Sequence, residues 1–180
     1  MKDSYANCIF VYVIPIRSAD LKIPISVLVL IHNLNHEVLL IERADRPDFW
    51  QSVTGSLDSP SESLEGAAVR EVAEETGIEV QTLPKGALKN LQHCVEYEIY
   101  PKWRYRYPPD VDRNTEHWFA LEVPVGIAVQ LAPREHLNYI WLPFEEAAQK
   151  CFSQSNRDAI LKYFSPPHDF LGLSKGGSQS

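Results

Sequence analysis

The segment Arg70-Glu71-Val72-Ala73-Glu74-Glu75 carries three carboxylates at helical spacing. Glu75 follows Glu71 by four residues and Glu74 follows it by three. At roughly 100° per residue the three fall within an arc of about 100° on one helix face. Like charges so placed repel; at about 5 Å and an effective dielectric near 20, each pair costs on the order of 3 kcal/mol before screening. A divalent cation would remove that cost. Carboxylate oxygens are hard ligands that suit magnesium or manganese, and magnesium shares its coordination sphere readily with substrate phosphates. The helix by itself also admits a plainer reading, a solvated acidic face.

The element that must hold these residues has legible ends. Ser59, Pro60, Ser61 and Glu62 fit a capping box with proline in the first turn, and Gly77 suits a C-cap, so a helix is expected from about Pro60 to Thr76. Val69, Val72 and Ala73 point away from the centre of the acidic arc and are expected to pack on a sheet. Before the helix, Ile25 to Ile31 is apolar and β-branched, Asn33 and Asn35 supply a turn, and Glu37 to Arg43 returns as a second strand. A short strand follows near Trp50 to Thr54, with later strands near Val95 to Tyr107, Thr115 to Val123 and Tyr139 to Leu142. Two short helices, one from about Pro143 and one after Ser155, close the pattern. Such alternation implies an α/β fold with a mixed sheet.

Gly55, Glu62, Arg70, Glu71, Val72, Glu74, Glu75, Gly77 and Ile78 together resemble the Nudix box. The loop between Gly55 and Glu62 is one residue longer than the family's, and lies ahead of the helix. The resemblance implies an α/β/α sandwich and metal-dependent hydrolysis of a phosphoanhydride. By it, Glu71 and Glu75 bind metal, Glu74 is a candidate additional ligand, Arg70 orients a carboxylate, and Glu62 does the same or caps the helix. The ion is expected to be Mg2+, with Mn2+ able to substitute.

The likeness extends beyond the box. Residues 46–56 (RPDFWQSVTGS), 95–99 (VEYEI), Arg104 with Arg106-Tyr107, Arg113 to Glu116 with Trp118-Phe119, Glu135 to Leu137 with Tyr139 and Trp141, and Ser155 to Arg157 are similar to a bacterial branch of the family acting on dihydroneopterin triphosphate and dATP. That branch implies release of pyrophosphate and a monophosphate, a step of folate biosynthesis. It implies a metal or base role for Glu135, and substrate contacts from Lys22, Arg43, Thr54 and Ser153. Read singly, Lys22 and Arg43 are ordinary surface charges, Thr54 a strand residue and Ser153 a helix cap. Trp50, Asn114 and Trp118 mark the region expected to supply a pterin pocket. The run Lys102 to Tyr107, if a strand, sets Lys102, Arg104 and Arg106 on one face and the aromatics on the other. Two other readings remain: a Nudix hydrolase of another nucleoside diphosphate derivative, and a non-catalytic ligand sensor.

Bulk properties restrict the partners. A formal charge of −7 and a pI near 5.3 disfavour general binding to nucleic acid or an anionic membrane, which both demand a basic surface. The expected partner is a small triphosphate, with oligomeric state left open. The 180 residues suit one domain over residues 20–164, with residues 1–19 read as an extension and 165–180, rich in Pro, Gly and Ser, as a flexible tail. Cys8, Cys94 and Cys151 lack metal or redox spacing and read as reduced thiols. With no apparent cleavable leader, the cytoplasm is the expected compartment.

Overall fold

The computed structural model describes residues 21–164; the expected extension and tail lie outside the described residues. Strand β1 (Ile25–Asn33) is the centre of a seven-stranded sheet. It runs parallel to β6 (Arg113–Val123), in register from Ile25 opposite Thr115 to Asn33 opposite Val123. On its other side β1 meets β2 (Glu37–Arg43) only near the hairpin, where His32 faces Val38. The Asn33 Oδ1 accepts from the backbone N–H groups of Asn35 and Glu37, and His36 takes a positive φ of 59° to close the turn. Beyond that point β1 pairs antiparallel with β4 (Val53–Ser56), while β2 pairs antiparallel with β7 (His136–Pro143) and with the two-residue β3 (Trp50–Gln51). Strand β5 (Leu88–Glu98) lies antiparallel on the outer side of β6.

Alternation along β1 separates two cores. Val27, Val29 and Ile31 pack with Ala67, Ala68 and Val72 of α1 (Leu64–Thr76). Leu28 and Leu30 pack on the opposite face with Ala147 and Ala148 of α2 (Phe144–Lys150) and Ala159 and Ile160 of α3 (Gln154–Phe164). Helices therefore cover both faces of a mixed sheet, the α/β/α sandwich anticipated above.

Two local expectations need correction. Helix α1 begins at Leu64, with Ser63 rather than Ser59 as its cap: the Ser63 hydroxyl accepts from the Gly66 N–H at 3.0 Å. Glu62 cannot serve the expected capping box, because its carboxylate accepts from the Asp58 N–H at 2.7 Å and pairs with Arg70. The buried face of α1 is Ala67, Ala68, Val72, Glu75 and Thr76, with Val69 only half-buried. Gly77 does end the helix, in the left-handed conformation at φ 68°.

The second correction concerns Lys102 to Tyr107. Strand β5 stops at Glu98, and Pro101–Arg106 forms a short 3-10 helix instead of continuing the strand. Proline at its first position favours that turn and cannot donate to a ladder. Lys102, Arg104 and Arg106 consequently do not share a strand face. Lys102 lies over the ring of Trp103, and the Arg106 carbonyl accepts from the Lys22 N–H at 2.7 Å, tying this turn to the entry of β1.

Candidate active site

The site begins with a close approach. Glycine at position 55 on β4 lets the sheet meet α1: a Cβ there would stand 1.7 Å from the Glu71 Oε1. The longer loop after Gly55 is absorbed between Leu57 and Ser63, ahead of the helix, and leaves this contact in place. Arg70 is the hub behind it. Its guanidinium donates to Glu62 at 2.9 Å, to Glu71 at 2.7 Å, to Glu74 at 3.1 Å and to the Ser56 carbonyl at 2.9 Å. These bonds fix the Glu71 carboxylate against the sheet and hold Glu74 on the exposed side of the helix.

Glu75 is 5% exposed, and its Oε2 accepts from the Thr54 N–H at 3.3 Å. His136 Nε2 lies 3.2 Å from the other oxygen. Glu135, exposed, comes from the loop before β7, whose carbonyl accepts from the Ala44 N–H at 2.8 Å and so anchors it to the end of β2. Ligand atoms of Glu75, Glu135 and His136 lie within 4.8 Å of one another. Burial raises the carboxyl pKa of Glu75, and it raises that of Glu71 to about 7 with help from the neighbouring Glu75, against the opposing pull of Arg70. Desolvated, mutually repelling oxygen ligands suit a divalent cation, which restores their ionised forms.

The cost of ionising Glu71 has a measurable consequence. If Glu71 is a ligand, its carboxyl must lose a proton before binding an ion, so apparent magnesium affinity should fall as pH drops below about 7, roughly tenfold per unit for one displaced proton. Titrating magnesium activation between pH 5.5 and 8 checks this; an activation constant flat with pH would contradict it.

Beside the glutamates opens a cavity of about 700 Å3, within the usual range for small-molecule sites. Lys22, Arg43, Thr54 and Ser153 all line it, as do Arg106, Trp103, Tyr97, Glu116 and Phe152. The Lys22 pKa is lowered by burial and by Arg106, so the two cations sit together at a place that an anion would relieve. Arg43 is held by Asp45 at 2.7 and 2.8 Å and lies 5.8 Å from the ring centres of both Phe49 and Trp103. The Thr54 hydroxyl accepts from Gln51 at 3.2 Å. Ser153 does cap α3, accepting from the Asn156 N–H at 3.2 Å, while also facing the cavity.

Some residues fall elsewhere. Trp50 and Trp118 belong to the core under α2 and α3, and the Asn114 amide nitrogen donates to Ser26 at 2.7 Å and Tyr97 at 3.1 Å; none of these three lines the cavity. His136 and Glu116 were missed as site residues. The signal for His136 was its adjacency to Glu135. For Glu116 it was a charged residue two positions before Trp118, where the strand turns apolar. The described cysteines, Cys94 and Cys151, are free thiols, the first exposed and the second buried.

Fold and site together define a phosphoanhydride hydrolase built on a box of helical glutamates. The NUDIX domain model matches residues 22–163, and the chain belongs to the Nudix family of hydrolases. It is 45% identical over 143 residues to dihydroneopterin triphosphate diphosphatase of Escherichia coli K12, which covers 79% of this chain and 93% of that protein. The Haemophilus influenzae enzyme of the same name is 39% identical over 139 residues, 77% of this chain and 85% of the relative. The solved structure of the E. coli dihydroneopterin triphosphate pyrophosphohydrolase superposes with a TM-score of 0.72 at 44% identity, covering 79% of this chain and 96% of that one. A C. elegans Ap4A hydrolase complex, 21% identical, shares the fold with a TM-score of 0.59 over 77% of this chain and 93% of its own. Nudix hydrolases generally need a divalent metal, and the acidic cluster here is compatible with that need. Among the described residues no helix is long and apolar enough to cross a membrane.

Proposed function

We propose that this chain hydrolyses dihydroneopterin triphosphate to dihydroneopterin monophosphate and pyrophosphate, with dATP and other nucleoside triphosphates as poorer substrates. The observation that carries the reading is a cavity lined by the Lys22, Arg43 and Arg106 cations and by Thr54, whose N–H meets Glu75, in a chain 45% identical to an enzyme named for that reaction. Magnesium, with manganese as substitute, is the proposed ion, and the cytoplasm the proposed compartment.

Glu71, Glu75 and Glu135 would hold the ion, with Glu74 a fourth candidate that faces Arg70 and solvent. When bound, the ion neutralises phosphate charge and acidifies the attacking water. The chain's own residues do the rest. Lys22 and Arg43 grip the phosphate oxygens, Thr54 and Ser153 offer hydroxyl donors, and a carboxylate of the cluster accepts the water's proton. Water adds to phosphorus, one phosphoanhydride bond breaks, and its oxygen leaves with pyrophosphate.

Product analysis and specificity constants under identical magnesium, across dihydroneopterin triphosphate, the deoxynucleoside triphosphates and a dinucleoside polyphosphate, test the reading. The pterin substrate should lead dATP, dCTP and dTTP by at least about tenfold, since buried polar groups left unpaired by a wrong base penalise it. Equal values for dATP and the pterin would mean a permissive pocket. Preference for the dinucleotide would move the enzyme to another branch.

Glu135 sits in solvent beside buried Glu75, so its loss should spare both fold and substrate binding. Glu135→Ala is expected to lower kcat by about a hundredfold while leaving KM within a few-fold. A change confined to KM would make it a binding residue instead.

A further inference from the structure

The cavity contains a buried carboxyl that hydrolysis does not use. Glu116 is 3% exposed yet lines the same cavity as Lys22, Arg43 and Arg106. It stands on β6 in register with Ser26 of β1 and Val95 of β5, so neighbouring strands flank it on both sides. The Trp118 indole N–H donates to its Oε1 at 3.2 Å, and the Ser155 hydroxyl of α3 is close enough to hold its pKa down. A carboxylate has about four acceptor positions, so these partners leave capacity toward the cavity. Burial raises its pKa to about 6, which leaves it ionised at neutral pH. No cation pairs with it in the described structure. An unpaired buried carboxylate is costly unless something donates to it.

We propose that Glu116 is the specificity-determining residue of the cavity, accepting paired hydrogen bonds from adjacent N–H donors on the edge of the substrate's ring. The proposal rests on the pterin reading above. A 2-aminopyrimidin-4-one ring presents a ring N–H beside an exocyclic amino group, two donors side by side that match the two oxygens of one carboxylate. The other residues around it serve this placement. Tyr97 and Tyr107, whose hydroxyls burial keeps protonated, give the cavity aromatic walls against which a flat bicycle stacks. Thymine, whose ring N–H lies between two carbonyls, would set a carbonyl oxygen against the same carboxylate and gain no pair.

Glu116→Gln tests this. The amide keeps the volume and can still accept from Trp118, but it replaces one acceptor with a donor that faces the ring's own donors. Specificity constants are measured for wild type and variant on dihydroneopterin triphosphate and dTTP at saturating magnesium, with thermal melting and with quenching of neopterin fluorescence as a binding readout independent of turnover. The expected result is a loss of at least tenfold in kcat/KM on the pterin substrate and a matching loss of neopterin binding, with dTTP within about twofold and the melting temperature preserved. An equal loss on both substrates, with or without a lowered melting temperature, would make Glu116 structural and overturn the proposal. So would no loss on either. Should wild type itself fail on dihydroneopterin triphosphate while cleaving other triphosphates, the pterin reading falls and this assignment with it, a result distinct from a selective wild type whose selectivity survives the substitution.

Discussion

Replacing Glu75 by Gln is expected to leave a folded protein with turnover reduced by at least about three orders of magnitude, on the order of 4 kcal/mol of transition-state stabilisation. The argument is one of burial. Glu75 is nearly inaccessible, and its surroundings already favour an uncharged group: burial raises its pKa, with only the Thr54 N–H and His136 close enough to oppose it. An amide oxygen can accept from the Thr54 N–H just as the carboxylate does. The fold therefore loses little and the melting temperature should hold. What disappears is the negative charge proposed to bind an ion at the centre of the site, for which a neutral amide is a poor substitute. Pyrophosphate release at saturating magnesium, alongside a melting curve, measures both quantities. Turnover like wild type would refute the assignment of Glu75, and a large drop in melting temperature would show that its charge serves the fold.

Residue spacing made the placement of the α1 carboxylates legible because a helix is rigid: once Arg70 to Glu75 is helical, the direction of each carboxylate follows. The apolar β-branched character of β1 and the Asn-rich turn after it likewise revealed the central hairpin. The start of α1 was not legible, since Ser59 and Glu62 satisfy the local rule for a cap while Glu62 is claimed by Arg70, a partner one-sequence reasoning does not see. The stretch after β5 failed differently. Its alternating basic and aromatic residues mimic a strand, although Pro101 at its start and Pro108-Pro109 after it were signals of a break. Glu116 was hidden for a topological reason. A charged residue on a strand reads as solvent-facing, but β6 lies between β1 and β5 in a sheet with helices on both faces, so Glu116 is buried. Glu135 could be proposed only by likeness, because its approach to Glu75 depends on a loop pinned to β2.

Gly55→Ala should be nearly as damaging to activity as losing a glutamate, and far less damaging to stability. The added Cβ would fall 1.7 Å from Oε1, 1.8 Å from Cδ and 2.4 Å from Oε2 of Glu71, so the whole carboxylate must leave its position. Because it is the free end of a flexible side chain, it can swing away without moving backbone; Gly55 itself needs no left-handed conformation, and alanine suits its strand. The cost to folding is then about 1 kcal/mol, largely the lost bond to Arg70. The catalytic cost is greater, since a ligand displaced by an ångström or more no longer shares an ion with Glu75; a loss on the order of a hundredfold in kcat is expected. A double-mutant cycle isolates the cause. If Gly55→Ala acts by displacing Glu71, adding it to Glu71→Gln should cost little further, whereas independent effects would multiply. Full additivity of the two substitutions would show that the glycine serves something other than the seat of that carboxylate.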